Sequence, residues 1–176
     1  LIDSANVGLW VYGYGSIIWR PDIPYIQAHW AVADGWSRRF WQGSHDHRGT
    51  VDFPGRVLTL VPDTDEQCEG RVFAVSHSDV EQVLKDLDFR EKNGYERQEL
   101  TVRTKALGEI TAMTYIAAPS NVAWLGDASD IEIAEQIQHA RGPSGDNADY
   151  VLALHDALLE QGIHDKHVQA IAHLLV

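Results

Sequence analysis

Arg56-Val-Leu-Thr-Leu-Val61 alternates its side chains cleanly and stops at Pro62, a residue with no N–H to give a sheet. The pattern predicts a strand followed by a turn over Pro62–Asp65. Glu69–Val75 then reads as the returning strand of a hairpin. Outward from this pair the first half of the chain continues in the same manner. Leu9–Gly13 is a short apolar run ending in glycine, and His29–Asp34 and Arg38–Gln42 are two strand-like runs parted by Gly35. Glu99–Arg103 and Ile110–Ala117 form a later pair around Leu107-Gly108. The last third is helical. Ser129 with Glu132 makes a capping box, as does Ser78 with Glu81 earlier in the chain. Apolar residues recur at helical spacing at Val80, Val83, Leu84 and Leu87, from Ile133 to Ala140, from Ala148 to Leu159, and from Val168 to Leu175. Strands first and helices later, without strict alternation, predict an α+β fold around a mostly antiparallel sheet or small barrel. With no internal repeat and no linker, residues 1–176 read as a single domain.

The composition, 44% hydrophobic and 23% charged, is that of a globular chain. The lone Cys68 has no internal partner, which suits a reducing compartment and a cytoplasmic location. No apolar run approaches the ~20 residues that span a bilayer, and Leu1–Gly8 has no basic region of a signal peptide. The formal charge of −12 argues against a nucleic-acid partner, whose affinity rests on neutralised phosphates. The acidity is uneven. Residues 36–56 hold Arg38, Arg39, Arg48 and Arg56 against Asp46 and Asp52, a basic island that suits a small anionic ligand.

Four stretches are candidates for chemistry. In Val11-Tyr-Gly-Tyr-Gly-Ser16, Gly13 and Gly15 let the backbone turn sharply and bring N–H groups close to a ligand. The stretch lacks the Lys of a phosphate loop, and Ile18 stands where a dinucleotide fingerprint needs its third glycine. A plain turn between strands is the alternative, and the motif by itself favours it. In Leu87-Asp-Phe-Arg-Glu-Lys-Asn-Gly-Tyr95, Asn93-Gly94 stops a helix and leaves Glu91 in or just past its last turn. There the negative end of the helix dipole raises a carboxylate's pKa toward that of a general base, while Arg90 and Lys92 pull it down. A solvated helix end is the alternative. The third stretch, Ser37–Gly49, combines arginines with aromatic residues that suit a carboxylate pocket, or pair with the chain's own acids. His45-x-His47 and His164-x-x-His167 have no further ligand at metal spacing, so no metal is expected. The fourth, Gly142–Asn147, reads as a turn and cap between helices.

Taken together and in order, these stretches resemble the ChaC-type γ-glutamylcyclotransferases of the glutathione-specific branch. The resemblance rests on Gly13-Tyr-Gly-Ser-Ile-Ile-Trp19, Ser37-Arg-Arg-Phe-Trp-Gln-Gly-Ser44, Asp46–Gly49, Pro54–Val57, Leu87–Lys92 with Gly94-Tyr95, Asp130–Ile137, and Gly142–Gly145 with Asn147 and Tyr150. It implies a small mixed β-barrel flanked by helices. It also implies Glu91 as the catalytic residue and a substrate loop of Gly13, Tyr14, Gly15, Ser16 and Ile17, with Tyr115 beside it. Relative to the family pattern, Ile17 replaces Leu, Asn93 replaces Gly, Asp149 replaces Glu and Ala117 replaces Gly.

The implied reaction needs no cofactor. The α-amine of glutathione's γ-glutamyl group attacks its own side-chain carbonyl, closes 5-oxoproline and expels Cys-Gly. Tethering supplies much of the rate. One carboxylate can take the amine's proton and return one to the leaving group, and Glu91 is the candidate. Arg39 and Arg48 are candidates for the glycyl carboxylate. Two other readings use the same fold: a cyclotransferase for other γ-glutamyl peptides or amines, and a binding module for a small anion.

Overall fold

The computed structural model describes residues 4–176. In chain order its elements are β1 (Val7–Gly13), β2 (Gln27–Ser44), β3 (Gly55–Ser76), α1 (Val80–Arg90), β4 (Tyr95–Thr104) and β5 (Gly108–Ala117). They are followed by α2 (Asp130–His139), β6 (Arg141–Gly142), β7 (Gly145–Asp146), α3 (Asn147–Leu159) and α4 (Lys166–Leu174). Strands β1 to β5 close a barrel in the order β1-β3-β2-β4-β5, and β6 pairs with β7 as a separate ribbon. The barrel is mixed: β1 runs antiparallel to β3 but parallel to β5, with Val11 opposite Met113. The α+β expectation holds.

Two expected interruptions are absent. Gly35 does not separate two strands: β2 runs through it for 18 residues, and Gly35 takes φ +79° on the way. Only glycine enters that region without strain, so the strand bends and continues. Nor do Pro62–Asp65 form a hairpin turn, because β3 is one strand of 22 residues. Pro62 is exposed, and a missing N–H is tolerated where a strand faces solvent.

The chain divides into two compact units: the residues up to Ser37 with Pro62–Ile116, and Arg38–Val61 with Ala117–Val176. In the first, Val11, Phe73, Val75, Met113 and Tyr115 of the barrel meet Val83 and Leu87 of α1, with Ile17, Val80 and Leu84 packed at the margin. Each buried Val or Leu contributes about 1.5–3 kcal/mol. The predicted Ser78 cap of α1 is not formed. Asp79 is the N-cap and makes no side-chain bond to the helix, because its Oδ2 accepts from Ser76 Oγ at 2.6 Å, while Ser78 Oγ lies 2.8 Å from the same hydroxyl.

In the second unit the Ser129–Glu132 box caps α2 as expected. Ile133 and Ile137 of α2, Val151, Leu154 and Leu158 of α3, and Val168 and Ile171 of α4 are among its buried residues. Asn147, fully buried at the start of α3, accepts from Arg56 N at 2.7 Å and donates to Arg56 O at 2.9 Å, as a neighbouring strand would.

Candidate active site

Leu87, Asp88 and Glu91 show how α1 delivers its end. Leu87 is buried in the core, and one turn later Glu91 closes the helix, its N–H donating to Leu87 O at 2.8 Å. Gly94 at φ +87° then turns the chain into β4. Glu91 is thus the C-cap, half-buried, where the sequence places it.

The glycine loop begins where β1 stops. A Cβ on Gly13 would lie 1.7 Å from Ile17 Cγ2, so only glycine lets the loop fold back on its own strand. Tyr14 is buried and donates its hydroxyl to Tyr115 O at 2.6 Å. Ser16–Ile18 form a single tight turn, with Ile18 N donating to Gly15 O at 3.0 Å and Arg20 N to Ser16 O at 2.8 Å.

Arg90 brings these two parts together. Its Nη2 donates to Ser16 Oγ at 2.7 Å, and its Nη1 to Arg20 O and Pro21 O at 3.0 and 3.1 Å. Its Nε stands 3.6 Å from Glu91 Oε1. The guanidinium therefore spans from the glycine loop to the carboxylate at the helix end. From the sequence Arg90 reads only as a neighbouring charge. Its signal was adjacency to Glu91, but its partners lie some 70 residues away in the chain.

Tyr115 approaches from β5. Its hydroxyl donates to Asp88 Oδ1 at 2.6 Å, one helical turn before Glu91. Arg97 grips the same carboxylate with Nε at 2.7 Å and with Nη2. Arg97, and then Tyr115, hold Asp88 below the usual carboxylate range. Burial, and next the bond to Asp88, push the Tyr115 phenol well above its ordinary value, so it stays a donor.

Gly13, Tyr14, Gly15, Ser16, Ile17, Glu91 and Tyr115 all belong to the first unit. Arg39 and Arg48 belong to the second. Arg39 Nη1 donates to Arg38 O at 3.1 Å; Arg48 Nη1 donates to Asp146 O at 3.0 Å, and its guanidinium lies over the Tyr150 ring at 5.7 Å. Elsewhere in the basic stretch, Arg38 Nε meets Asp165 Oδ2 at 2.8 Å, and Arg56 donates to Gln136, Phe40 O and Gly126 O. Arg38, Arg48 and Arg56 thereby tie distant parts of the second unit to one another. Of the paired histidines, His47 Nδ1 lies 3.1 Å from Ser144 Oγ, and His167 Nε2 accepts from Phe40 N at 3.2 Å. Among the described residues no three His, Cys, Asp or Glu side chains gather as a metal site. No helix among them is long and apolar enough to cross a membrane.

The model of the ChaC-like proteins matches residues 9–176. A mouse protein named glutathione-specific γ-glutamylcyclotransferase 1 is 40% identical over 175 residues, covering 96% of this chain and 78% of its own. γ-Glutamylcyclotransferase 2-3 of Arabidopsis thaliana is 40% identical over 174 residues, covering 94% and 87% respectively. A crystal structure of the yeast γ-glutamylcyclotransferase specific to glutathione superposes with a TM-score of 0.89 at 30% identity, over 97% of this chain and 96% of that one. Its fold is the α+β fold described above, and the chain belongs to the ChaC-like family.

Proposed function

We propose that this protein is a γ-glutamylcyclotransferase that converts glutathione to 5-oxoproline and Cys-Gly, with Glu91 as general acid and base. The observation that carries the reading is the Arg90 bridge, which sets the Glu91 carboxylate beside the Gly13–Ile17 loop in a chain whose relatives bear that enzyme's name. The loop holds the γ-glutamyl group. Glu91 takes a proton from its α-ammonium, and the freed amine attacks the side-chain carbonyl. A C–N bond forms, the carbonyl oxygen gains charge, and N–H groups of Gly15 and Ser16 stabilise it. The γ-peptide C–N bond then breaks as Glu91 returns its proton to the departing nitrogen of Cys-Gly, and the second proton of the ring nitrogen follows through Glu91 to that amine, leaving the lactam N–H of 5-oxoproline and the ammonium of Cys-Gly. Nothing is oxidised or reduced. Tyr115, fixed by Asp88 and by Tyr14, forms the wall beside the loop.

The test is 5-oxoproline formation from glutathione by the parent and by Glu91→Gln, in EDTA. We expect product from the parent and a loss of at least about a hundredfold in kcat for the variant, the scale of one general acid–base group. Equal rates would remove Glu91 from the chemistry. If the parent makes 5-oxoproline only from other γ-glutamyl compounds, the substrate assignment fails and the reaction class stands.

A further inference from the structure

The register of the barrel puts one more charged side chain on the face that carries the candidate site. β1 and β3 pair with Val11 opposite Phe73 and Gly13 opposite Arg71. On the other side of β1, Val11 lies beside Met113 of β5. Side chains two apart on a strand share a face. Arg71 therefore shares the face of Phe73, and Tyr115 that of Met113, the face against which Val83 and Leu87 of α1 pack. Gly13 contributes no side chain to this face, and Ile17 Cγ2 folds over its position. Around that spot stand Arg71 from β3 and Tyr115 from β5, and Tyr115 is bonded to α1 one turn before Glu91.

Arg71 is half-buried, with its guanidinium carbon 5.3 Å from the centroid of the Phe73 ring. Arg20, Arg90, Arg97 and Arg103 of the same unit each have a carboxylate partner: Asp22, Glu91, Asp88 and Asp34. Among the described residues Arg71 has none, and its one contact of this kind is the aromatic face. That is unusual in a chain with 26 acidic residues against 14 basic ones. A guanidinium stacked on a ring keeps its in-plane N–H fork available, and the fork matches a carboxylate.

We propose that Arg71 binds a carboxylate of the substrate, beside the glycine loop. This rests on the γ-glutamyl reading and deepens it, because γ-glutamyl peptides offer two such groups, the γ-glutamyl α-carboxylate and the C-terminal one. Arg71 touches neither the amine nor the scissile bond in this assignment, so its loss falls on binding.

The experiment compares the parent with Arg71→Met and Arg71→Lys. Methionine keeps an unbranched stem over Phe73 and removes the charge. KM and kcat are measured with glutathione, with its glycyl amide, and with the analogue amidated at the γ-glutamyl α-carboxyl. Expected is a rise in KM for glutathione of about ten- to a hundredfold in Arg71→Met, the loss of a charge-assisted bond, with kcat held within about threefold and partial recovery in Arg71→Lys. One of the two amides should show that rise already in the parent, with no further rise in Arg71→Met, and that amide identifies the carboxylate. An unchanged KM for glutathione, or an equal rise for all three substrates, overturns the proposal, the latter assigning Arg71 to packing over Phe73. Calorimetric titration of glutathione into Glu91→Gln, with and without Arg71→Met, separates the two readings. Weakened binding in the double variant without turnover in the parent would keep the carboxylate site and discard the reaction. No binding to Glu91→Gln, or equal affinity in both, would discard the site.

Discussion

Arg90 and Glu91 are neighbours in the chain with different tasks, and substitution separates them. Arg90→Lys retains a positive charge near Glu91, but one ammonium on a flexible stem cannot reproduce a planar fork reaching Ser16 Oγ and two carbonyls. A displacement of about 1 Å at a reacting group costs on the order of a hundredfold. We expect kcat/KM of Arg90→Lys to fall about that far while its circular dichroism and melting stay near those of the parent. A variant that is merely unfolded would fail the second measurement. Tyr115 offers an alkaline counterpart. Its phenol is raised in the fold, so the protonated form is favoured there, and the stability it contributes is complete below the unfolded value of about 10 and is lost as pH rises beyond it. Urea midpoints of the parent should drop more steeply above about pH 10 than those of Tyr115→Phe. Glu91 and the loop were legible in the sequence because each is local, a helix stop and a glycine turn. The bond between Arg90 and Ser16 joins residues 74 apart, and no local pattern announces it.

Among elements, the structure follows the sequence pattern where the decisive contact is short in sequence. Both partners of the Ser129–Glu132 box sit within one turn of α2, and the box forms. The Ser78 box has the same spelling, yet Ser76 engages Asp79 from outside the motif. Gly35 and Pro62 look like breaks because residue type is all that a sequence displays. What carries β2 and β3 past them is the sheet ladder, whose partners lie elsewhere in the chain. The seam between β2 and α4 supplies a further prediction. Burial first, and Arg39 next, hold the His167 imidazole below its usual range against the opposing pull of Asp165, Asp130 and Asp127. Its Nε2 accepts from Phe40 N, which requires the neutral ring. As pH falls below the unfolded value of about 6.5, the unfolded chain takes a proton that the folded one refuses, and stability declines toward the lower folded value. His167→Gln keeps an acceptor that does not titrate, so the stability gap between parent and variant should narrow from pH 8 to pH 5.5 in urea unfolding. Asn147→Ala would strip a buried N–H and C=O of Arg56 of their partner, at about 3 kcal/mol, visible in the same titration.

For the molecule as a whole, the two compact units are not successive along the chain. β2 begins in the first and ends in the second, and β3 runs the other way. We expect a single cooperative unfolding transition, with tryptophan fluorescence and far-ultraviolet dichroism coincident. Trp10, Trp19, Trp30 and Trp36 report on the first unit and Trp41 and Trp124 on the second, so separate melting would split the fluorescence curve.

The anchor of the glycine loop also bears on how this chain tolerates change. Besides Ser16, Arg90 bonds to the main-chain oxygens of Arg20 and Pro21 just past the loop, and a main-chain oxygen is present whatever side chain the position carries. Arg20 turns its own side chain to Asp22 at the surface. Positions 20 and 21 are thus open to drift over generations without the loop losing its hold on α1, whereas position 16 is confined to a residue with a short hydroxyl. A library randomised at 20 and 21 should stay rich in active clones, and one randomised at 16 should collapse to serine and its nearest chemical kin.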